Sequence, residues 1–141
     1  MITEKDRDSL IEYRLNQALE TIELAKFLVV SDKLTIAVNR IYYGMYYALT
    51  ALALKNKFET SKHGQLIGWF NKEYISSKKV DAKYGKILRN AYQNRTKGDY
   101  DAFVNFSKVE TESMLYEMTD FIEEIKRLIE NHNIKYISLK G

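Results

Sequence analysis

No proline occurs anywhere in this sequence, and only six glycines do. Proline removes a backbone donor and clashes with the preceding helical turn, so its absence lets helices run long, while tight β-turns lack their usual residues. The apolar residues agree. Ile11, Leu15, Ala18, Ile22, Ala25 and Val29 recur every three or four positions, which puts them on one face of a helix over 4–30. Thr3 is placed to cap that helix, with Asp6 three residues on. The turn SDK at 31–33 leads to a second helix predicted over 33–56, ending in KNK. In ETSK at 59–62, Thr60 or Ser61 is expected to cap a shorter helix over 62–76, where Gly64 and Gly68 are expected to mark close helix approach. The polar linker SSKKVD precedes a fourth helix near 81–96. Gly98 is expected to stop it and Asp99 to cap the fifth, whose stripe of Leu115, Met118, Ile122, Ile125 and Ile129 is the clearest in the chain. No strand alternation or repeat is found. The predicted fold is all-α, an up-and-down helical bundle of four main helices and one shorter helix over 1–132. A tail over 133–141 is read as frayed or as a short extended arm.

Composition narrows the chemistry. There is no cysteine, which excludes disulfides, thiolate zinc sites and a cysteine nucleophile, and fits a reducing cytoplasm. Only His63 and His132 are available, and no helix carries metal-ligand spacing, so no metal or cofactor is expected. A phosphate-cradling glycine loop and a nucleophile elbow are also missing. MITEKDRDSL at the start has no apolar signal region, and no run reaches membrane-spanning length, so a cytoplasmic chain without membrane contact is expected. The net charge of +3 gives only a weak pull towards polyanions.

Two segments stand out as candidate sites. In NRIYYGMYYALTALAL at 39–54, a rotation of about 100° per residue groups Ala37, Val38, Ile41, Met45, Ala48, Leu49 and Leu52 as the core face. Asn39, Arg40, Tyr43, Tyr46, Tyr47 and Thr50 fall on the opposite side, with Tyr42 at the edge of the core group and read as packing. Aromatic faces of this kind are seldom left fully solvated, so this one should meet a helix, a second subunit or a ligand. In LRNAYQNRTKGDY at 88–100, Arg89, Tyr92 and Arg95 are spaced by three, followed by Asp99 and Tyr100. Arginine suits phosphate through its planar fork of donors, and a helix opening at Asp99 would add backbone N–H groups. The plainer reading has Asp99 as a cap paired with Arg95, and the tyrosines as interface packing.

Taken together, AVNRIYYGMYYALTALAL, SKHGQLIGWFNKEYI and LRNAYQNRTKGDY resemble the HEPN superfamily (higher eukaryotes and prokaryotes nucleotide-binding), in its small stand-alone prokaryotic branch. The resemblance implies a helical bundle that usually dimerises, often encoded beside a minimal nucleotidyltransferase as half of a toxin–antitoxin pair. It also implies a metal-independent ribonuclease motif, an arginine followed a few residues later by histidine, with a nearby tyrosine modified by the partner. Arg95 matches the arginine, Asp99 stands where the histidine is expected, and Tyr100 is the candidate for modification. Three readings remain open. The first is a module binding RNA, a nucleotide or a nucleotidyltransferase through Asn39, Arg40, Tyr43, Tyr47 and Arg95. The second is a ribonuclease using Arg95 with Asp99, Tyr100 or His63. The third is a non-catalytic subunit of a homodimer.

Overall fold

The computed structural model describes the backbone of residues 2–140 and the side chains of residues 2–131. Its regular structure, among the described residues, is entirely helical: α1 Glu4–Val30, α2 Leu34–Lys55, α3 His63–Phe70, α4 Lys83–Tyr100 and α5 Lys108–Lys140. α3 runs directly into a π-helical turn, Asn71–Ile75. Thr3 caps α1 as expected, its hydroxyl accepting from the Asp6 amide at 3.0 Å.

α2 is the central element and packs on α1, α4 and α5. Its whole predicted core face is buried, as is Tyr42. Across from it, α5 contributes Met118, Phe121, Ile122 and Ile125, all buried, and α3 contributes Phe70. Each such side chain stabilises the fold by about 1.5–3 kcal/mol through the apolar surface it removes from water. The close helix approach occurs at Gly44, where a Cβ would press into Met118 Cε and lie 3.3 Å from Thr21 Cγ2. Gly64 and Gly68 do not mark one: a Cβ at either would meet nothing within 4 Å.

Lysine and aspartate, not glycine, take the left-handed position after three helices. Asp32, Lys57 and Lys78 have φ near +60° (58°, 58° and 61°). After α2, the Phe58 amide reaches back to Ala53 O at 2.9 Å and the Lys57 amide to Leu54 O at 3.0 Å, the paired bonds of a Schellman ending. The same pairing after the π-helical turn joins Lys79 N to Tyr74 O and Lys78 N to Ile75 O, both at 3.0 Å.

Two predicted boundaries are corrected. Gly98 does not stop α4, which continues to Tyr100; the following loop folds Phe106 back so that its ring packs beside the glycine. Asp99 therefore caps nothing. α5 is capped by Ser107: its Oγ accepts from the Glu110 amide at 3.1 Å, and Glu110 Oε1 accepts from the Ser107 amide at 2.7 Å. Neither Thr60 nor Ser61 caps α3. The N-cap is Lys62, whose amide donates to Thr60 Oγ1 at 3.1 Å. The segment expected to be a tail has helical backbone continuous with α5 to Lys140, and its side chains lie outside the described residues.

Candidate functional site

With Asp99 inside α4, Arg95 and Asp99 sit one helical turn apart and bond directly, Arg95 Nη1 to Asp99 Oδ2 at 3.2 Å. The other carboxylate oxygen accepts from Asn39 Nδ2 on α2 at 3.3 Å. Asn39 Oδ1 in turn accepts from Arg40 Nε at 3.0 Å and from Arg40 Nη2 at 2.7 Å. The result is a chain of side chains, Arg40–Asn39–Asp99–Arg95, that ties α2 to α4. It holds two guanidinium groups and one carboxylate, a surplus of one positive charge.

Tyrosine rings enclose the cationic end. The Arg95 guanidinium lies 5.2, 5.5 and 5.4 Å from the ring centres of Tyr42, Tyr43 and Tyr92. Arg40 lies 4.9 Å from Tyr43. Such contacts favour a cation by about 0.5–2 kcal/mol each, more as water is excluded. Arg95 is 13% exposed, and its Nε is buried without a hydrogen-bond partner. Arg40 Nη1 and Arg95 Nη2 form no hydrogen bond within the protein among the described residues, which leaves donors for an incoming acceptor.

His63 comes from the first turn of α3 into the same cluster. Its ring stacks on Tyr46 at 4.4 Å and 12°, and it has Tyr42, Tyr43 and Tyr92 as neighbours, the three rings that surround Arg95. His63 Nδ1 is 2.5 Å from the Tyr42 hydroxyl. Burial, and then the nearby Arg95 charge, push the imidazole below its ordinary range, so it is neutral at pH 7. Burial also pushes the Tyr42 phenol up, which keeps it protonated. Both Asp99 carboxylate oxygens accept hydrogen bonds, Oδ2 from a guanidinium and Oδ1 from an amide.

The structure thus brings Asn39, Arg40, Tyr43, His63, Arg95 and Asp99 into one cluster. Tyr47 lies at its margin, 6.3 Å from the Tyr43 ring and 6.2 Å from Tyr46. Tyr100, on the last turn of α4, is 81% exposed. Arg89 is exposed. No helix opens at Asp99, so the backbone donors expected there are absent. Sequence reasoning assigned Tyr42 to packing and left Tyr46 and Tyr92 out of the site. On α2 the positions carried a signal: Tyr42 and Tyr46 are four apart, as are Tyr43 and Tyr47, so two neighbouring aromatic rows run along the helix. Among the described residues no group of acidic and histidine side chains is arranged to hold a metal, and no helix is long and apolar enough to cross a membrane.

The model of the HEPN domain matches residues 11–128, a span that contains the whole cluster. The chain belongs to the HEPN domain family. Among its relatives, the "UPF0332 protein" of Thermotoga maritima is 32% identical over 126 residues, covering 89% of this chain and 96% of that one. The "Putative toxin MJ0142" of Methanocaldococcus jannaschii is 31% identical over 131 residues, covering 93% and 86%. A second protein of that organism, "Putative toxin MJ0605", is 29% identical over 125 residues, covering 89% and 92%. This HEPN chain is all-α among its described residues, and the polar cluster lies where its α2, α3 and α4 meet.

Proposed function

We propose that this chain is a toxin-type HEPN module that binds RNA by its phosphate backbone at Arg95 and Arg40, with the surrounding tyrosines offering rings to an unpaired base. What supports the reading above all is the surplus charge of the Arg40–Asn39–Asp99–Arg95 chain, set among tyrosine rings with guanidinium donors still unused. Phosphate supplies the missing negative charge and the missing acceptors. Asp99 in this reading aligns Arg95 and tempers its charge. Asp99→Asn should therefore tighten binding of a short single-stranded RNA at low salt, while Arg95→Ala weakens it. Weaker binding by Asp99→Asn, with the fold intact, would contradict the assignment.

A second reading, metal-independent RNA cleavage, is favoured by one observation. An imidazole sits among the rings that surround Arg95, with Nδ1 against the Tyr42 hydroxyl, where burial and the Arg95 charge favour its neutral form. His63 can act there as a proton acceptor for a ribose 2′-hydroxyl, with Arg95 stabilising the charge that builds on phosphorus. Cleavage of tRNA or mRNA by the purified chain, lost in both His63→Gln and Arg95→Ala, supports it. RNA left intact by the wild type restricts the site to binding. Dimerisation and a nucleotidyltransferase partner belong to the same proposal. The exposed Tyr100 beside Asp99 supports the latter, since a phosphate-bearing group attached there would place negative charge near Arg95. Sedimentation equilibrium tests the first, and mass spectrometry of chain exposed to such an enzyme and ATP tests the second.

A further inference from the structure

A second concave surface lies towards the other end of α3 from His63. It is a cavity of about 730 Å³ between the end of α2, the last turns of α3 and the π-helical turn. Its lining includes neither arginine of the first cluster nor His63. The Schellman ending of α2 turns Phe58 back onto Trp69, and the two rings stack 5.2 Å apart at 5°. Tyr74 meets Trp69 edge-on at 5.8 Å and 67°, and its hydroxyl is fixed by Asn56 Nδ2 at 3.0 Å.

The charged groups lining the cavity are three lysines, Lys57, Lys72 and Lys79, against one carboxylate, Glu73. Lys57 is shared with Glu4 at 3.3 Å, and the Lys79 ammonium lies 5.4 Å from the Tyr74 ring centre. Lys72 forms no ion pair among the described residues. Two further features are hard to explain by packing. Gly68 lies within a helix, where glycine weakens the structure, yet a side chain there would touch nothing. Its bareness leaves the cavity open beside Trp69. The π-helical turn that follows carries Lys72, Glu73 and Tyr74 onto the cavity wall, and such turns recur at functional sites.

We propose that this cavity is a nucleotide-binding site distinct from the Arg95 cluster. The base lies against the Phe58–Trp69 wall and the phosphate is held by Lys72 and Lys79. A wall of aromatic rings rimmed by lysines fits a flat ring that carries an anion, and fits neither a bare anion nor an uncharged apolar ligand. The ligand is a free nucleotide or one residue of a single-stranded RNA. The site stands whether or not Arg95 binds RNA.

Trp69 is the single tryptophan of the sequence, so its emission reports on the cavity directly. The full chain is titrated with AMP, with a short oligoadenylate and with inorganic phosphate. AMP or the oligonucleotide should change the emission saturably, and phosphate should bind at least about tenfold more weakly, because it lacks the stacking ring. Equal affinity for AMP and the oligonucleotide assigns the site to free nucleotides, and a clear preference for the oligonucleotide assigns it to RNA. Gly68→Leu fills the cavity, and Lys72→Glu reverses its free charge. In equilibrium dialysis with labelled AMP each should weaken binding at least about tenfold, while the Trp69 emission response to AMP is retained in Arg95→Ala. The proposal is overturned by the absence of a saturable response to either nucleotide, by phosphate binding as well as AMP, by wild-type affinity in Lys72→Glu and Gly68→Leu, or by loss of the Trp69 response in Arg95→Ala.

Discussion

One substitution, glycine to alanine, should act with opposite sign at two positions of this bundle. Within a helix alanine is favoured over glycine by about 0.8–1.0 kcal/mol, mostly through the backbone entropy glycine loses on folding. At Gly68 nothing lies within 4 Å of the added methyl, so the whole gain is realised. Gly68→Ala should therefore stabilise by about 1 kcal/mol and raise the melting temperature by about 2–4 °C. At Gly44 the same methyl presses into Met118 Cε and sits 3.3 Å from Thr21 Cγ2. Both neighbours are buried, and Met118 is 0% exposed, so the thioether end can yield only by repacking within the core. Overfilling a close-packed site costs about 1–3 kcal/mol, which exceeds the propensity gain. Gly44→Ala should then destabilise by about 1 kcal/mol net. Urea unfolding followed by far-ultraviolet circular dichroism measures both. A double-mutant cycle with Met118→Ala isolates the clash, because removing the thioether makes room for the new methyl, and a favourable coupling of about 1 kcal/mol or more is expected. If both alanines stabilise, or the cycle shows no coupling, the account of how α2 meets α5 is wrong.

Three further outcomes follow from the same structure. Ser107→Ala removes one half of the reciprocal cap of α5 and should cost about 1 kcal/mol in urea unfolding. Because the fold holds His63 below its ordinary range, the unfolded chain takes up that proton first, so stability is full above about pH 6.5 and falls as pH drops through the folded value. The slope of unfolding free energy between pH 7 and 5 should be smaller in His63→Gln than in the wild type; an equal slope contradicts the burial of this imidazole beside Arg95. Asn39→Ala removes the link between Asp99 and Arg40, and should weaken RNA binding several-fold less than Arg95→Ala, with little change in melting temperature.

The bundle was legible because helical stripes depend on local spacing, and the core face of α2 could be drawn from rotation alone. The α4–α5 boundary was not. Gly98 and Asp99 read as a stop and a cap, yet Phe106, eight residues on, folds back over the glycine and the helix runs past it. The true cap, Ser107 with Glu110, has the spacing of a capping box, but the Gly98–Asp99 pair carries a competing stop-and-cap signal ahead of it. The candidate site was legible by face but not by depth. Asn39, Arg40 and Tyr43 lie on the predicted polar face of α2 and Arg95 lies in the predicted α4, whereas Asp99 was expected in the turn before α5. Tyr42 was assigned to the core, and it is in the core; what one helix cannot reveal is that its hydroxyl end emerges at His63 from another. Likewise the position of His63 depends on how α3 docks, a tertiary fact with no local signature.

The proposed role of Arg95 requires it to contact an RNA phosphate directly. The salt dependence of binding reads that contact. The affinity of a short single-stranded RNA for wild type and for Arg95→Ala is measured between low and moderate salt. Each phosphate contact on a single strand contributes about 0.7 to the slope of log K against log salt concentration. Loss of Arg95 should lower that slope by about 0.7, together with a weakened affinity at every salt concentration. An unchanged slope and affinity in a folded Arg95→Ala chain would contradict it.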